Sequence, residues 1–417
     1  MDWFEQYESE IRAYSRAYPA VFVKGQNAKQ WDENGKEYID FYAGAGVLNF
    51  GHNNPKLKAA MMDYLADDGV LHSLDMMTPA KRDFIQGFVE TILQPRKMNY
   101  KLQFMGPTGT NAVEAALKLA RKVTGRHNVI AFAQGFHGMT LGALACTANG
   151  YFRQAAGVPL NHVSHCPFET NTGGGMAMLD TLRALYENTS GGAEKPAAIL
   201  VESIQAEGGV NVASAEWLQG LEKLARDLGA LLILDDIQAG CGRTGQYFSF
   251  EEAGIDPDIV TLAKGLGGLG TPIAMNLVKP EHDQHWQPGE HTGTFRGQNL
   301  SFVAGREALR YFEDDQLMNA VHDKGEIMVG ALEQMAQTYP DAGFSVRGKG
   351  MMQALDVGDG ALAKAVAREC FDRGMLFGPC GVGGSVIKLI PPLTIPEDEL
   401  VAGLEILSEA LAACMKG

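Results

Sequence analysis

The chain has 417 residues, 46% hydrophobic and 20% charged, the make-up of an ordinary globular protein with room for two domains. A net charge of −15, with no aromatic-studded basic stretch, excludes nucleic acid and anionic membrane as partners. Six scattered cysteines form no C-x-x-C pair, the charged N-terminus has no apolar h-region, and no apolar run approaches the eighteen or so residues of a membrane span. A cytoplasmic protein with reduced thiols is expected. The fifty glycines cluster in short turns such as GPTGT, GFHG, GCGRTG and KGLGGLG, which points to backbone held close to a ligand.

In chain order, DWFEQYESEIRAYSR predicts a helix over about residues 2–16, before Tyr18 and Pro19. VFVKGQNAKQWDENGKEYIDFYAG follows as two alternating stretches joined by the turn DENG, a hairpin pattern. From about residue 55 to 295, β-rich runs alternate with helical stretches. KLQFMG precedes NAVEAALKLARKVTG, NVIAFAQ precedes GFHGMTLGALACT, and AAILVES precedes AEWLQGLEKLARDLG, with ALLILDDI and DIVTLAK completing the series. Such alternation predicts a mainly parallel sheet covered on both faces, with ligands at the carboxyl ends of the strands. A long helix from SFVAGREALRYFEDD into LMNAVHDKGEIMVGALEQMAQTY is expected next. FSVRGKGMMQALDV, a helix ALAKAVARECFDRG, a strand near SVIKLIPP and a closing helix PEDELVAGLEILSEALAAC end the chain. The expected architecture is α/β. A large cofactor-binding domain (56–295) adjoins a smaller α+β domain (296–417), which the N-terminal segment (1–55) joins.

Four features fall at strand ends. ALLILDDIQAGCGRTG ends an apolar strand in Asp235, Asp236 and Gln238. A buried acid there needs a cationic partner, such as a protonated ring nitrogen, or else caps the next turn. In DIVTLAKGLGGLG, Lys264 follows a strand and precedes a glycine turn. In a dry pocket its amine can lose its proton and condense with an aldehyde, whereas an ordinary lysine reaches for solvent. MGPTGTNAVEAALKLAR opens a helix on a glycine–threonine turn, a phosphate cradle or a simple N-cap, and it lacks the G-K-[ST] of a nucleotide loop. Phe136 in QGFHGMT either stacks on a flat ring or packs in the core. EHDQH (281–285) and HVSH (162–165) read as polar turns, so no metal site is assigned.

Taken together, these features describe a site for a flat cationic ring bearing a phosphate and an aldehyde. The sequence resembles the class III (omega) aminotransferases of fold type I. LLILDDIQAGCGRTG and PDIVTLAKGLGG carry the likeness, with Asp235 and Lys264 separated by 29 residues. It extends from DENGKEYIDFYAGAGVLNFGHNNP to IKLIPPLTIPEDEL. The resemblance implies pyridoxal 5'-phosphate held by Lys264, with Asp235 on the ring nitrogen and Gln238 on the phenolic oxygen. It puts Ile237 and Phe136 on the two ring faces and Gly109 and Thr110 on the phosphate. Thr294, in EHTGTFRGQN, is implied to reach the phosphate of a neighbouring subunit, which implies a homodimer or higher homo-oligomer.

Within the family, GPTGTNAVEAALKLARKVTG, FGHNNP, HSLDM and GEHTGTFRGQN resemble the branch that makes L-2,4-diaminobutyrate, a precursor of ectoine and of some siderophores and antibiotics. The implied substrates are L-glutamate and L-aspartate 4-semialdehyde, and the products are diaminobutyrate and 2-oxoglutarate. Other omega-aminotransferases, of 4-aminobutyrate or ornithine type, and a pyridoxal-phosphate aminomutase are the alternatives. A cofactor-binding protein without activity is a third class, which the joint presence of Lys264, Asp235 and Gln238 argues against. Glu207, in ESIQAEGG, either neutralises a substrate-binding cation in one half-reaction or sits on a solvated turn, while Glu202 is expected to support the loop. The sequence departs from ornithine-type relatives at Lys388, where they carry arginine, and from many relatives at Arg296, where they carry glycine. Arg296 is a substrate-carboxylate ligand or an interface ion pair.

Overall fold

The computed structural model describes residues 3–416. Its centre is a seven-stranded sheet in the order Lys101–Phe104, Met275–Val278, Ile259–Leu262, Leu231–Asp235, Ala198–Val201, Val129–Phe132 and Val163–Cys166. Met275–Val278 runs antiparallel to both neighbours, and the remaining direct pairings are parallel. Most of these strands are buried along their whole length, which is why they read as continuous apolar runs instead of alternating ones.

The covering helices are built as their sequences require. Gly109–Thr124 starts at Thr108, whose hydroxyl accepts the Asn111 N–H, and stops at Gly125 in the left-handed conformation. Its buried face, including Val113, Ala116, Leu117 and Ala120, recurs at helical spacing. Ala215–Leu228 repeats the scheme with Ser214 as cap and Gly229 as stop.

A second core joins the two ends of the chain. Phe41, Phe50 and Leu57 pack with Leu355, Leu389 and Leu407. The strand Glu37–Asp40 pairs in parallel with Met375–Leu376, and Ile39 N–H donates to the Gly374 carbonyl at 2.8 Å. An antiparallel sheet of Ser345–Lys349, Met352–Asp356, Val386–Leu389 and Gly378–Cys380 packs against the helices Gln316–Thr338 and Gly360–Arg373. Arg243, wholly buried, ties the parts together. It donates to the Met351 carbonyl at 3.2 Å, to the Pro391 carbonyl, and to Asn49 Oδ1 at 2.6 Å.

Three expectations are corrected. The N-terminal helix is two short pieces, Trp3–Tyr7 and Tyr14–Ala17, and the predicted residue 2 lies outside the described residues. The hairpin is three strands, Phe22–Gln26, Lys29–Asp32 and Glu37–Asp40, because Asn27 turns the chain with a φ of 49°. The long helix breaks between Asn299–Leu309 and Gln316–Thr338. The polar run EDDQ carries no helix-stop glycine, so the sequence gives little sign of the break.

Candidate active site

A cavity of about 450 Å³ opens at the carboxyl ends of the parallel strands. Gly109, Thr110, Phe136, Glu207, Asp235, Ile237, Gln238 and Lys264 all line it. A neighbouring cavity of about 710 Å³ shares Phe136, Glu207 and Lys264 and adds Tyr14 and the glycine-rich loop 379–384.

Lys264 follows the strand Ile259–Leu262 and takes a left-handed φ of 47°, which costs a residue with a side chain about 1–2 kcal/mol. Burial pulls its ammonium down to about 8, against the opposing pull of Glu207. Strand Leu231–Asp235 delivers Asp235. Its Oδ2 meets His137 Nδ1 at 2.7 Å, and Oδ1 accepts from Thr261 Oγ1 at 3.2 Å and from the Ile237 N–H at 3.3 Å. Burial disfavours the charged His137 ring, but the hydrogen bond and charge of Asp235 outweigh it and raise its pKa. Asp236 turns the other way, to Ser249, and burial pushes it up to about 7.

The helix Gly109–Thr124 points its N-terminus at the cavity. A Cβ at Gly109 would stand 3.0 Å from Ile237 Cδ1. The loop carrying Phe136 is pinned by Glu202, whose Oε1 accepts the Phe136 N–H at 2.9 Å. Burial raises the Glu202 carboxyl to about 7. Glu202 thus holds the loop, in line with its expected part.

Glu207, Lys388 and Gln238 form one cluster. Lys388 Nζ lies 2.5 Å from Glu207 Oε1 and 3.4 Å from Gln238 Oε1, while Gln238 Nε2 donates to Glu207 at 3.1 Å and to the Ala45 carbonyl at 2.7 Å. Burial acts to raise the Glu207 carboxyl, yet the charges of Lys388 and Lys264 hold it down at about 2. Arg296 is elsewhere, 3.6 Å from Asp75, and Thr294 is exposed and gives its carbonyl to His72 at 2.8 Å. Neither lines either cavity. His282 pairs with Asp258 at 3.0 Å, and His165 faces the Cys146 carbonyl at 3.2 Å.

The sequence reading missed His137 and Thr261, the two side chains that fix Asp235. A histidine in the same turn as Phe136, in a chain whose buried aspartate lacked a protein partner, was the available signal.

The site fits pyridoxal phosphate on its own chemistry. It combines an amine depressed by burial, a fixed carboxylate, a helix N-terminus and apolar walls from Phe136 and Ile237 around one cavity. Fold and site together define a fold type I pyridoxal-phosphate enzyme. The class III aminotransferase model matches residues 12–411, and the chain belongs to that family. A protein of Sporosarcina pasteurii named diaminobutyrate–2-oxoglutarate transaminase is 50% identical over 412 residues, covering 98% of this chain and 96% of its own. One of the same name from Wolinella succinogenes is 51% identical over 413 residues, covering 99% and 96%. Among solved structures, the ornithine aminotransferase of Toxoplasma gondii, with pyridoxal phosphate partly occupying its active site, superposes with a TM-score of 0.84. It is 27% identical, covering 99% of this chain and 94% of its own.

Proposed function

We propose that this aminotransferase moves an amino group from L-glutamate to L-aspartate 4-semialdehyde, forming 2-oxoglutarate and L-2,4-diaminobutyrate. The observation that carries the reading is the Glu207–Lys388 pair at the edge of the Lys264 cavity. The two relatives named for this reaction, matched over almost their whole length, support the substrate choice.

Pyridoxal phosphate, when bound, supplies an aldehyde and an electron-withdrawing ring that stabilises negative charge on the substrate carbon. Gly109 and Thr110 would hold the phosphate, Phe136 and Ile237 would flank the ring, and Gln238 would bond its phenolic oxygen. Asp235, fixed by His137 and Thr261, would keep the ring nitrogen protonated. Lys264 would hold the group at its aldehyde carbon, and its Nζ, when free, would take the proton from the substrate's reacting carbon and deliver it to that aldehyde carbon. Glu207 neutralises Lys388 while the diamine or aldehyde occupies the site. When glutamate enters, its α-carboxylate takes Lys388 in place of Glu207.

The functional unit in this reading is a homodimer, in which the partner subunit's Thr294 completes the phosphate site. Six unpaired cysteines, five of them buried, accord with a cytoplasmic setting.

The test is turnover of the pyridoxal-phosphate-loaded protein with glutamate against a panel of ω-aldehydes that includes succinate semialdehyde. Fastest glutamate-dependent formation of 2-oxoglutarate with aspartate semialdehyde is expected. Preference for another aldehyde would overturn the substrate, and isomerisation without 2-oxoglutarate release would mark an aminomutase.

A further inference from the structure

The two amino compounds of the proposed reaction share one spacing. In glutamate, the side-chain carboxyl carbon stands three bonds from the carbon that loses its amine. In diaminobutyrate, which reacts at its terminal amine, the α-carboxyl carbon also stands three bonds from the reacting carbon. One fixed cation at that distance would serve both half-reactions. Lys388 cannot be that cation, because its carboxylate is the one adjacent to the reacting carbon, which glutamate alone has.

Neither cavity of the site offers another. Among their lining residues Lys264 is the sole lysine or arginine, and His137 is committed to Asp235. Two arginines sit on bordering elements, and both are committed. Arg153 gives Nη1 to the carbonyls of Leu144, Ala145 and Thr147, and Arg347 binds Asp356 at 3.0 Å and the Gly209 carbonyl at 2.6 Å. Met139 occupies the cavity wall beyond His137.

Arg296 is under-used: among the described residues its guanidinium pairs with Asp75, at 3.6 Å, and its buried Nε has no hydrogen-bond partner. Beside it, Phe295 is 60% exposed and packs edge-on against His72 at 5.3 Å. The segment around His72 adds Leu71, Leu74, Met76 and Met77, the last 98% exposed. So much apolar surface around a half-satisfied guanidinium marks an interface.

We propose that each subunit's Arg296 binds the distal carboxylate of the substrate in the other subunit's site. This rests on the dimeric reading and on the substrates given above. Thr294 and Arg296 then act as one loop, delivering a phosphate contact and a substrate contact two residues apart. A guanidinium suits the task, since its planar fork meets a carboxylate with two parallel hydrogen bonds.

Half-reactions with truncated substrates test it. L-2-Aminobutyrate is glutamate without the distal carboxylate, and 1,3-diaminopropane is diaminobutyrate without it. Arg296→Met should slow glutamate and diaminobutyrate alike, by about 10- to 100-fold, and slow the truncated pair far less. Arg296→Lys should fall between. Co-expression of Arg296→Met with Lys264→Ala should restore about a quarter of wild-type activity through hybrid dimers, each with one intact composite site. Equal losses on full and truncated substrates, in a variant that sediments as wild type, would overturn the proposal. An inactive hybrid would overturn it too. Failure of the wild type to make diaminobutyrate is a separate result, which removes the substrate assignment itself.

Discussion

Lys264 and Glu207 both titrate below their ordinary values, for different reasons: burial favours the neutral amine, and the neighbouring lysine charges favour the ionised carboxylate. Burial favours the neutral amine at Lys264, whose titration falls to about 8, so more of it becomes free as pH rises through that value. In cofactor-free protein, the rate of condensation with pyridoxal should therefore climb up to about pH 8 and level off above it. A rate still climbing towards pH 10.5, the ordinary lysine value, would contradict the shift. Lys264→Ala should abolish the visible absorbance of the loaded protein and nearly all turnover. Glu207 stays ionised down to about pH 2, so it can screen Lys388 at any working pH. Glu207→Ala should slow the diaminobutyrate half-reaction about 10- to 100-fold, roughly 1.4–2.7 kcal/mol, and spare glutamate. The source of the loss is an unscreened like charge, worth on the order of 4 kcal/mol at 4 Å and an effective dielectric of 20 before further screening. Single-turnover kinetics separate the two half-reactions, and equal losses would make Glu207 structural. Sequence reasoning left Lys388 and Arg296 as rival partners of Glu207, because residues 181 and 89 positions away are equally remote along a chain. Only packing distinguishes them, and it brings Lys388 to Glu207.

At the scale of elements, the turn proposed to hold the phosphate depends on two loops meeting closely. Thr110 Oγ1 lies 2.7 Å from Thr140 Oγ1, which donates to Glu114 at 2.6 Å. Gly138, at a φ of 128°, passes so close that a Cβ would strike the Thr110 side chain. Gly138→Ala should therefore weaken cofactor binding at least about tenfold, through both backbone strain and displacement of Thr110. Equilibrium titration of cofactor-free protein checks this, and unchanged affinity would dismiss the contact. The helix–strand alternation was legible because Gly109–Thr124 and Ala215–Leu228 each carry a cap, a stop and an apolar stripe. Met275–Val278 was not, since an antiparallel strand inserted in a parallel sheet has no helix of its own to frame it. The bend at Asn27 was also hidden, because a left-handed asparagine leaves the alternation on either side undisturbed.

At the scale of the molecule, Arg243 is the joint between the sheet, the N-terminal segment and the C-terminal strands. Burial draws its guanidinium down to about 9, and its partners are two carbonyls and an amide oxygen. Replacing a buried charge by an apolar side chain is often neutral, but here the three acceptors would remain without their donor. Arg243→Met should cost about 2–4 kcal/mol in urea unfolding, with Arg243→Lys retaining part of it. A variant as stable as wild type would show that the acceptors find water. GCGRTG reads in sequence as a glycine turn after the strand that ends in Asp235, and nothing in it announces a contact with residues a hundred positions further on.

The parallel pairing of Glu37–Asp40 with Met375–Leu376 sets an order of events during synthesis. The N-terminal meander leaves the ribosome early, with one edge of its backbone hydrogen bonds unmade. Its partner emerges more than three hundred residues later, roughly 20–70 s at ordinary elongation rates. Throughout that interval the exposed strand edge is a template for pairing with other chains, including nascent copies of the same one. Emergence of Met375–Leu376, not of the central sheet, is therefore what closes this edge.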